Sequence, residues 1–405
     1  MMLAADPLFD AGVDARVLVV VLLKVGVAFA LLLVAVMLVI WFERKLVSDM
    51  QNRIGPAVAG PWGILQTLAD GIKLFFKEDL LPDRADRAVF RLAPYLSLVP
   101  AFLTFAIVPI GGDFTNGADG TVSLLGRRTL LQVADPPVGI LLFLALSSIA
   151  VYGVMLAGWS SGSKYPLLGS VRASAQMISY EAALGLSIAT VFLASGTLST
   201  NGIVASQATW NWNVAATGVV PFLVFVVAGT AELNRPPFDL VEAEQELVGG
   251  FHTEYSSIRF ALFYLAEFMN MITMSAIAVT LFLGGPNGPI LIDKIAWVWP
   301  ILWFFVKVLA FLFTFVWLRA TLPRFRYDQL MDLGWKLLIP LSLGWFLLLA
   351  ALHIAEDRGW SAIVVVVVGM PVLLAGSALL NGAVAKARSE TQPKIESADQ
   401  PGGSH

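Results

Sequence analysis

Runs of about 20 apolar residues recur along this chain, and they constrain its fold more than any other feature. A helix that crosses a bilayer needs about 20 mostly apolar residues. Nine stretches qualify, at approximately 17–42, 89–110, 138–157, 173–195, 218–232, 258–283, 298–320, 337–354 and 362–384. Of 405 residues, 58% are hydrophobic and 14% charged. A soluble domain carries about 25% charged residues. So few charges cannot cover a water-facing surface, which excludes a soluble enzyme. No outer-membrane strand alternation is visible, and no internal repeat, which weakens an inverted-repeat transporter. The expectation is an all-α, polytopic membrane helix bundle. It has about nine transmembrane helices in a single domain over 1–385, and a disordered polar tail at 386–405. The first stretch reads as a retained helix, because no small-residue cleavage site follows it.

The few charges carry the remaining information. Nineteen Lys and Arg fall in the loops of one side and the tail, and five on the other side. The positive-inside rule then places the N-terminus outside and the C-terminus in the cytoplasm. The chain has no Cys and three His, which excludes thiolate-bound iron–sulfur clusters and leaves little for a zinc site. A net charge of −3 without a basic run gives no nucleic-acid footprint.

Two loops on the basic side stand out. In the loop at 43–88, PWGILQTLADGIKLFFK places Gln66, Asp70, Lys73 and Lys77 at helical spacing, with Leu65, Leu68, Ile72 and Phe75 largely on other faces. The spacing predicts an interfacial amphipathic helix. Arg44, Lys45 and Arg53 can hydrogen-bond a polar head group, but on sequence physics alone Arg44 and Lys45 fit an ordinary positive flank better. The loop at 233–257 carries Asp239, Glu242, Glu244, Glu246 and Glu254, against Arg235 and next to Glu232. Composition alone favours a solvated acidic face or a docking surface. The Asn234-Arg235-Pro236-Pro237 lead-in and the Gly249-Gly250 exit point instead to a mobile, protonatable element.

Charges inside the spans are costly and usually face a protein interior or a watery cavity. Glu181 sits in the fourth stretch, Glu267 in the sixth near Asn270, and Glu232 closes the fifth. Desolvation disfavours a charged carboxylate, which suits such groups to pass protons. Simple pairing with a neighbouring helix is the competing reading. Lys24 reads as a snorkelling side chain, Lys307 equally as a structural pair or a functional group, and His353 as structural.

Four stretches carry a resemblance: ERKLVSDMQNRIGPAVAGPWGILQTLADGIKLFFKED, GWSSGSKYPLLGSVRASAQMISYE, AELNRPPFDLVEAEQELVGGFHTEYSSIRFALFYLAEF and LPRFRYDQLMDLGWKLLIPLSL. Over roughly residues 40–345 the chain resembles the quinone-chamber membrane subunit of respiratory complex I, a family with bacterial and mitochondrial branches. Ser48-Asp49 departs from the small or apolar residues usual there, and His252 sits where Asn is common. The resemblance implies a proton-translocating NADH:quinone oxidoreductase in which this subunit walls the quinone chamber. It places quinone-side residues on Glu43, Arg44, Arg53, Asp70, Lys73 and Arg235. It places a proton relay on Glu181, Glu232, Asp239, Glu242, Glu244, Glu246, Glu254 and Glu267. Quinone is the implied substrate; metal, FMN and iron–sulfur clusters belong to other subunits. The implied partners are the cluster-bearing hydrophilic arm, further membrane-arm subunits and lipid. The ninth span and polar tail fit the bacterial form, hence a bacterial plasma membrane. The rivals are the homologous subunit of a membrane-bound hydrogenase or other non-NADH dehydrogenase, and a stand-alone proton-coupled transporter.

Overall fold

A computed structural model describes residues 6–10, 12–114, 118–208, 211–240, 247–292, 295–361 and 363–372, with scattered residues to 382. Glu242, Glu244, Glu246 and the tail at 386–405 lie outside the described residues.

The chain is a helical membrane bundle, and seven of its described helices are long and apolar enough to cross a bilayer. Helix α1 (Ala15–Met50) has 36 residues and is N-capped by Asp14, whose carboxylate accepts the Val17 amide. At 1.5 Å per residue it is about 54 Å long, well beyond a hydrocarbon core of about 30 Å. Its last turns carry Glu43 and Arg44. Ala28, Leu32, Val36, Val39 and Ile40 form its buried stripe, at the spacing of one helical face. The predicted amphipathic helix is α2 (Gln66–Phe76). Helix α3 (Arg87–Phe105) stops short of the expected residue 110, because Pro109 lacks an N–H and disfavours helix just before it. A two-stranded hairpin follows, β1 (Thr121–Leu124) paired with β2 (Arg127–Leu130), turning on Leu125-Gly126.

Helices α4 (Gly139–Ser160) and α5 (Lys164–Ser195) form the next hairpin. Two short helices, α6 (Thr200–Ser206) and α7 (Asn213–Ala216), lead to α8 (Val219–Glu232). The 14 residues of α8 reach about 21 Å, less than a full bilayer crossing. It gives way to an irregular segment whose Leu233, Arg235, Phe238, Asp239 and Leu240 are buried. Irregular backbone at membrane depth is tolerated only where protein covers it.

Helix α9 (Ser257–Phe282) is the central post, with buried residues on every face of its second half. Helix α10 (Val298–Thr321) packs beside it. Helix α11 (Tyr327–Asp332) runs through a π-helical stretch, Leu333–Leu338, into α12 (Ile339–Asp357). Pro340 cannot supply the hydrogen bond of a regular helix there. The described part of the last predicted span is α13 (Ile363–Val372). One hydrophobic cluster joins α1, α3, α5, α8, α9 and α10.

Both lysines of the spans are engaged. Lys24 lies 2.5 Å from Asp6, which also accepts from Thr129 of β2. Lys307 donates to the carbonyls of Leu283, Gly285 and Asn287 just past α9 and sits 4.8 Å from the Trp212 ring. It closes the end of a helix.

Candidate functional site

The site is built where the C-terminal end of α1, the irregular segment after α8, and α9 converge. Arg235 is its hub. Its Nη1 donates to both oxygens of Glu43 at 3.0 Å. Its Nε lies 2.8 Å from Glu267 Oε1, off the N–H axis, so that contact is ionic more than hydrogen-bonded. The guanidinium packs 4.3 Å from the Phe268 ring centre. Glu43 takes a second guanidinium from Arg319 at the end of α10. A residue read as quinone-side (Glu43) and one read as relay (Glu267) thus share one arginine.

Beside this hub, Asp239 is buried and lies 3.1 Å from Arg324. Gln176 of α5 donates to the carbonyls of Ala231 and Phe238. The first is one of the carbonyls that the end of α8 leaves open, and the second belongs to the irregular segment after it. On the outer side, Arg44 lies 2.6 Å from Asp70 of α2 and also hydrogen-bonds Tyr264. Burial pulls the Asp70 carboxyl up, but hydrogen bonds from Arg44 and Gln66 outweigh this and hold it below the usual carboxylate range. Arg53 and Lys73 are exposed, and Glu254 is half-buried.

The intramembrane acids follow. Glu232 accepts from Ser147, and Glu181 from the adjacent Ser148, both on α4. A cavity of about 70 Å³ is lined by Glu267, Glu232, Asn234, Asn270, Ser97 and His252, among others. A second, of about 30 Å³, shares Glu232 and Asn270 and adds Ser147 and Thr273. Ser97 Oγ, Asn234 Oδ1, Glu232 Oε2 and Thr273 Oγ1 are buried there without a partner among the described residues. Buried polar groups of this kind are normally satisfied by internal water, and a single water needs about 10–15 Å³. Both cavities are large enough.

Two larger spaces lie elsewhere. An apolar groove of about 630 Å³ runs between α1, α9 and α10. These are the helices that carry Glu43, Glu267 and Arg319. A cavity of about 780 Å³ lies below the hairpin, lined by Phe114, Trp212 and Trp297, at the opposite end from the charged hub.

Sequence reasoning missed Arg319, Arg324, Gln176, Ser147 and Ser148. The available signal was charge balance, since buried carboxylates require cations. Both arginines flank the Thr321-Leu322-Pro323 break after α10, where they look like ordinary basic flanks.

His252 is half-buried between Phe251 and Phe260, and burial pushes its imidazole down to about 4 from 6.5. Between those values the unfolded chain binds the proton and the folded chain does not, so local stability falls as pH drops through that window. Amide protection over 250–256 is expected to decrease from pH 6.5 towards 4. In His252→Asn that dependence should shrink to what nearby carboxylates contribute. Identical profiles in hydrogen exchange would refute it.

The fold and the hub define a predominantly helical integral membrane protein with a buried charge network at one end of its bundle. The chain belongs to the NADH dehydrogenase family, whose family model matches residues 23–350, in the branch of the NADH-quinone oxidoreductase H subunit. It is similar to that subunit of Frankia casuarinae, 51% identical over 381 residues, 92% of this chain and 82% of the relative. The Frankia alni subunit is 53% identical over 365 residues, 88% of this chain and 78% of the relative. The Streptomyces avermitilis subunit is 50% identical over 364 residues, with the same two coverages, 88% and 78%.

Proposed function

We propose that this chain is the membrane subunit of a proton-translocating NADH:quinone oxidoreductase. It forms much of the quinone chamber and the first part of the relay that couples quinone reduction to pumping. It sits in a bacterial plasma membrane with its C-terminus in the cytoplasm. The observation that carries the reading is Arg235, buried between Glu43 and Glu267. One charge there is shared by the chamber-side helix and the helix leading into the membrane.

The chemistry divides between subunits. Reducing a quinone to a quinol takes two electrons and two protons. This chain has no cysteine, so the electrons arrive from cluster-bearing partners. Arg44, Asp70, Lys73 and Arg53 face the head group, and the apolar groove between α1, α9 and α10 accommodates hydrocarbon such as an isoprenoid tail. As protons are drawn to the reduced quinone, the charge balance around Glu43 changes and Arg235 redistributes between its two carboxylates. Glu267 then exchanges protons through water in the shared cavities with Glu232, and Glu232 with Glu181 past Ser147 and Ser148. Asp239, Glu242, Glu244, Glu246 and Glu254 contribute further protonatable groups to the relay. Networks with two discrete arrangements carry such coupling.

The test is Glu181→Gln in the assembled complex, measuring quinone reduction and proton pumping together. Pumping per quinone reduced is expected to fall while assembly persists. Full, coupled activity would sink the relay role.

A further inference from the structure

Helix α9 begins on two serines whose hydroxyls do not cap it. An N-cap serine normally accepts from the second or third amide of its own helix, yet Ser256 makes no such bond. Its Oγ accepts the Leu80 amide at 2.8 Å and donates towards the Glu78 carbonyl at 3.3 Å. Ser257 adopts φ +54°, a left-handed conformation that residues other than glycine seldom take. Its hydroxyl is shared between the carbonyls of Lys77 and Leu74, at 2.8 and 2.9 Å. Those carbonyls belong to the end of α2 and have no partner within it. Arg259 lies 2.8 Å from Asp79. Tyr255 stacks on Phe90 at 4.0 Å and donates to its carbonyl at 3.0 Å.

The start of α9 is therefore fastened to the tail of α2. The two helices meet again through Arg44, which joins Asp70 of α2 to Tyr264 of α9. Glu267 lies ten residues beyond Ser257, about 15 Å along the same helix. Close-packed elements move as units instead of deforming, so α2 cannot shift without carrying α9.

We infer that Ser256, Ser257 and Arg259 form a positioning clamp that transmits movement of the chamber-side helix α2 to Glu267. The inference rests on the function proposed above. The clamp touches no quinone and carries no proton. It sets where Glu267 stands relative to Arg235 when Arg44 and Asp70 change partners. The unused cap and the left-handed serine are the local concessions that hold it shut.

The test uses the assembled enzyme with Arg259→Ala, with Ser257→Gly, which relieves the left-handed backbone but deletes the hydroxyl, and with the charge exchange Arg259→Asp/Asp79→Arg. Quinone turnover, the quinone KM and protons pumped per quinone reduced are measured, each normalised to assembled complex. Both single variants are expected to keep turnover and KM near wild type and to lose pumped protons per quinone. The charge exchange should restore part of the loss seen in Arg259→Ala. Poor assembly lowers the amount of enzyme but not this ratio, so an unchanged ratio in both single variants overturns the clamp. A raised KM with an unchanged ratio overturns it too, as a purely structural contact. Glu267→Gln separates the two proposals. Loss of the ratio there, without loss in the clamp variants, rejects only the clamp. A full ratio in Glu267→Gln rejects the relay itself.

Discussion

Arg235→Met is expected to collapse the yield of assembled complex and to leave any that forms with little quinone reductase activity. The side chain is 6% exposed and lies between two carboxylates. Methionine keeps much of the volume but removes the charge. Glu43 retains Arg319, while Glu267 loses its ion pair. Removing one partner of a buried ion pair costs roughly 3–5 kcal/mol, because the other charge stays buried and uncompensated. Total stabilities run only about 5–15 kcal/mol. Arg235→Lys should fall between, since one ammonium cannot span Glu43 and Glu267 as a planar guanidinium does. Adding Glu267→Gln to Arg235→Met should recover part of the lost stability by removing a stranded charge. Native-gel assembly and thermal inactivation provide the readout. Wild-type assembly and rate in Arg235→Met would remove Arg235 from the centre of the site.

The second large effect is expected at Gly158, where α4 and α5 touch. A Cβ there would lie 2.2 Å from Ser170 Oγ and 2.3 Å from the Pro166 carbonyl oxygen. Small residues let membrane helices approach this closely. Overpacking costs typically about 1–3 kcal/mol, and a backbone carbonyl cannot rotate away as a side chain can. Gly158→Val must force the two helices apart. That separates Ser147 and Ser148 on α4 from the glutamates they hold. The expected result is a chain that fails to accumulate in the membrane. Gly185→Ala on α5 meets nothing within 4 Å and should accumulate normally. Normal levels of Gly158→Val in membrane fractions would refute the packing argument.

Much of this was legible in the residues themselves. Nearly every apolar run marks a helix, because in a bilayer both length and composition are imposed by the solvent. The acids stood out because charge is so scarce. Ends were harder to read. Helix α5 begins at Lys164, nine residues before the apolar run, because protein neighbours can solvate SKYPLLGSVR. The hairpin at 121–130 follows an ordinary loop composition. Glu43 read as a quinone-side group, and nothing in its local sequence points to Arg235, 192 residues away.

The sequence by itself determined that this is a helical bundle in a membrane, which side of it carries charge, and which acids are exceptional. Those properties depend on each segment's own exchange between water and lipid, so they can be read one segment at a time. The tertiary structure alone decided which cation meets which acid, that two serines of α4 hold Glu232 and Glu181, and that the serines opening α9 serve α2. Those are contacts between segments distant in the chain. Coulombic and hydrogen-bond energies depend on separations of a few ångströms, and only the packed bundle sets those separations.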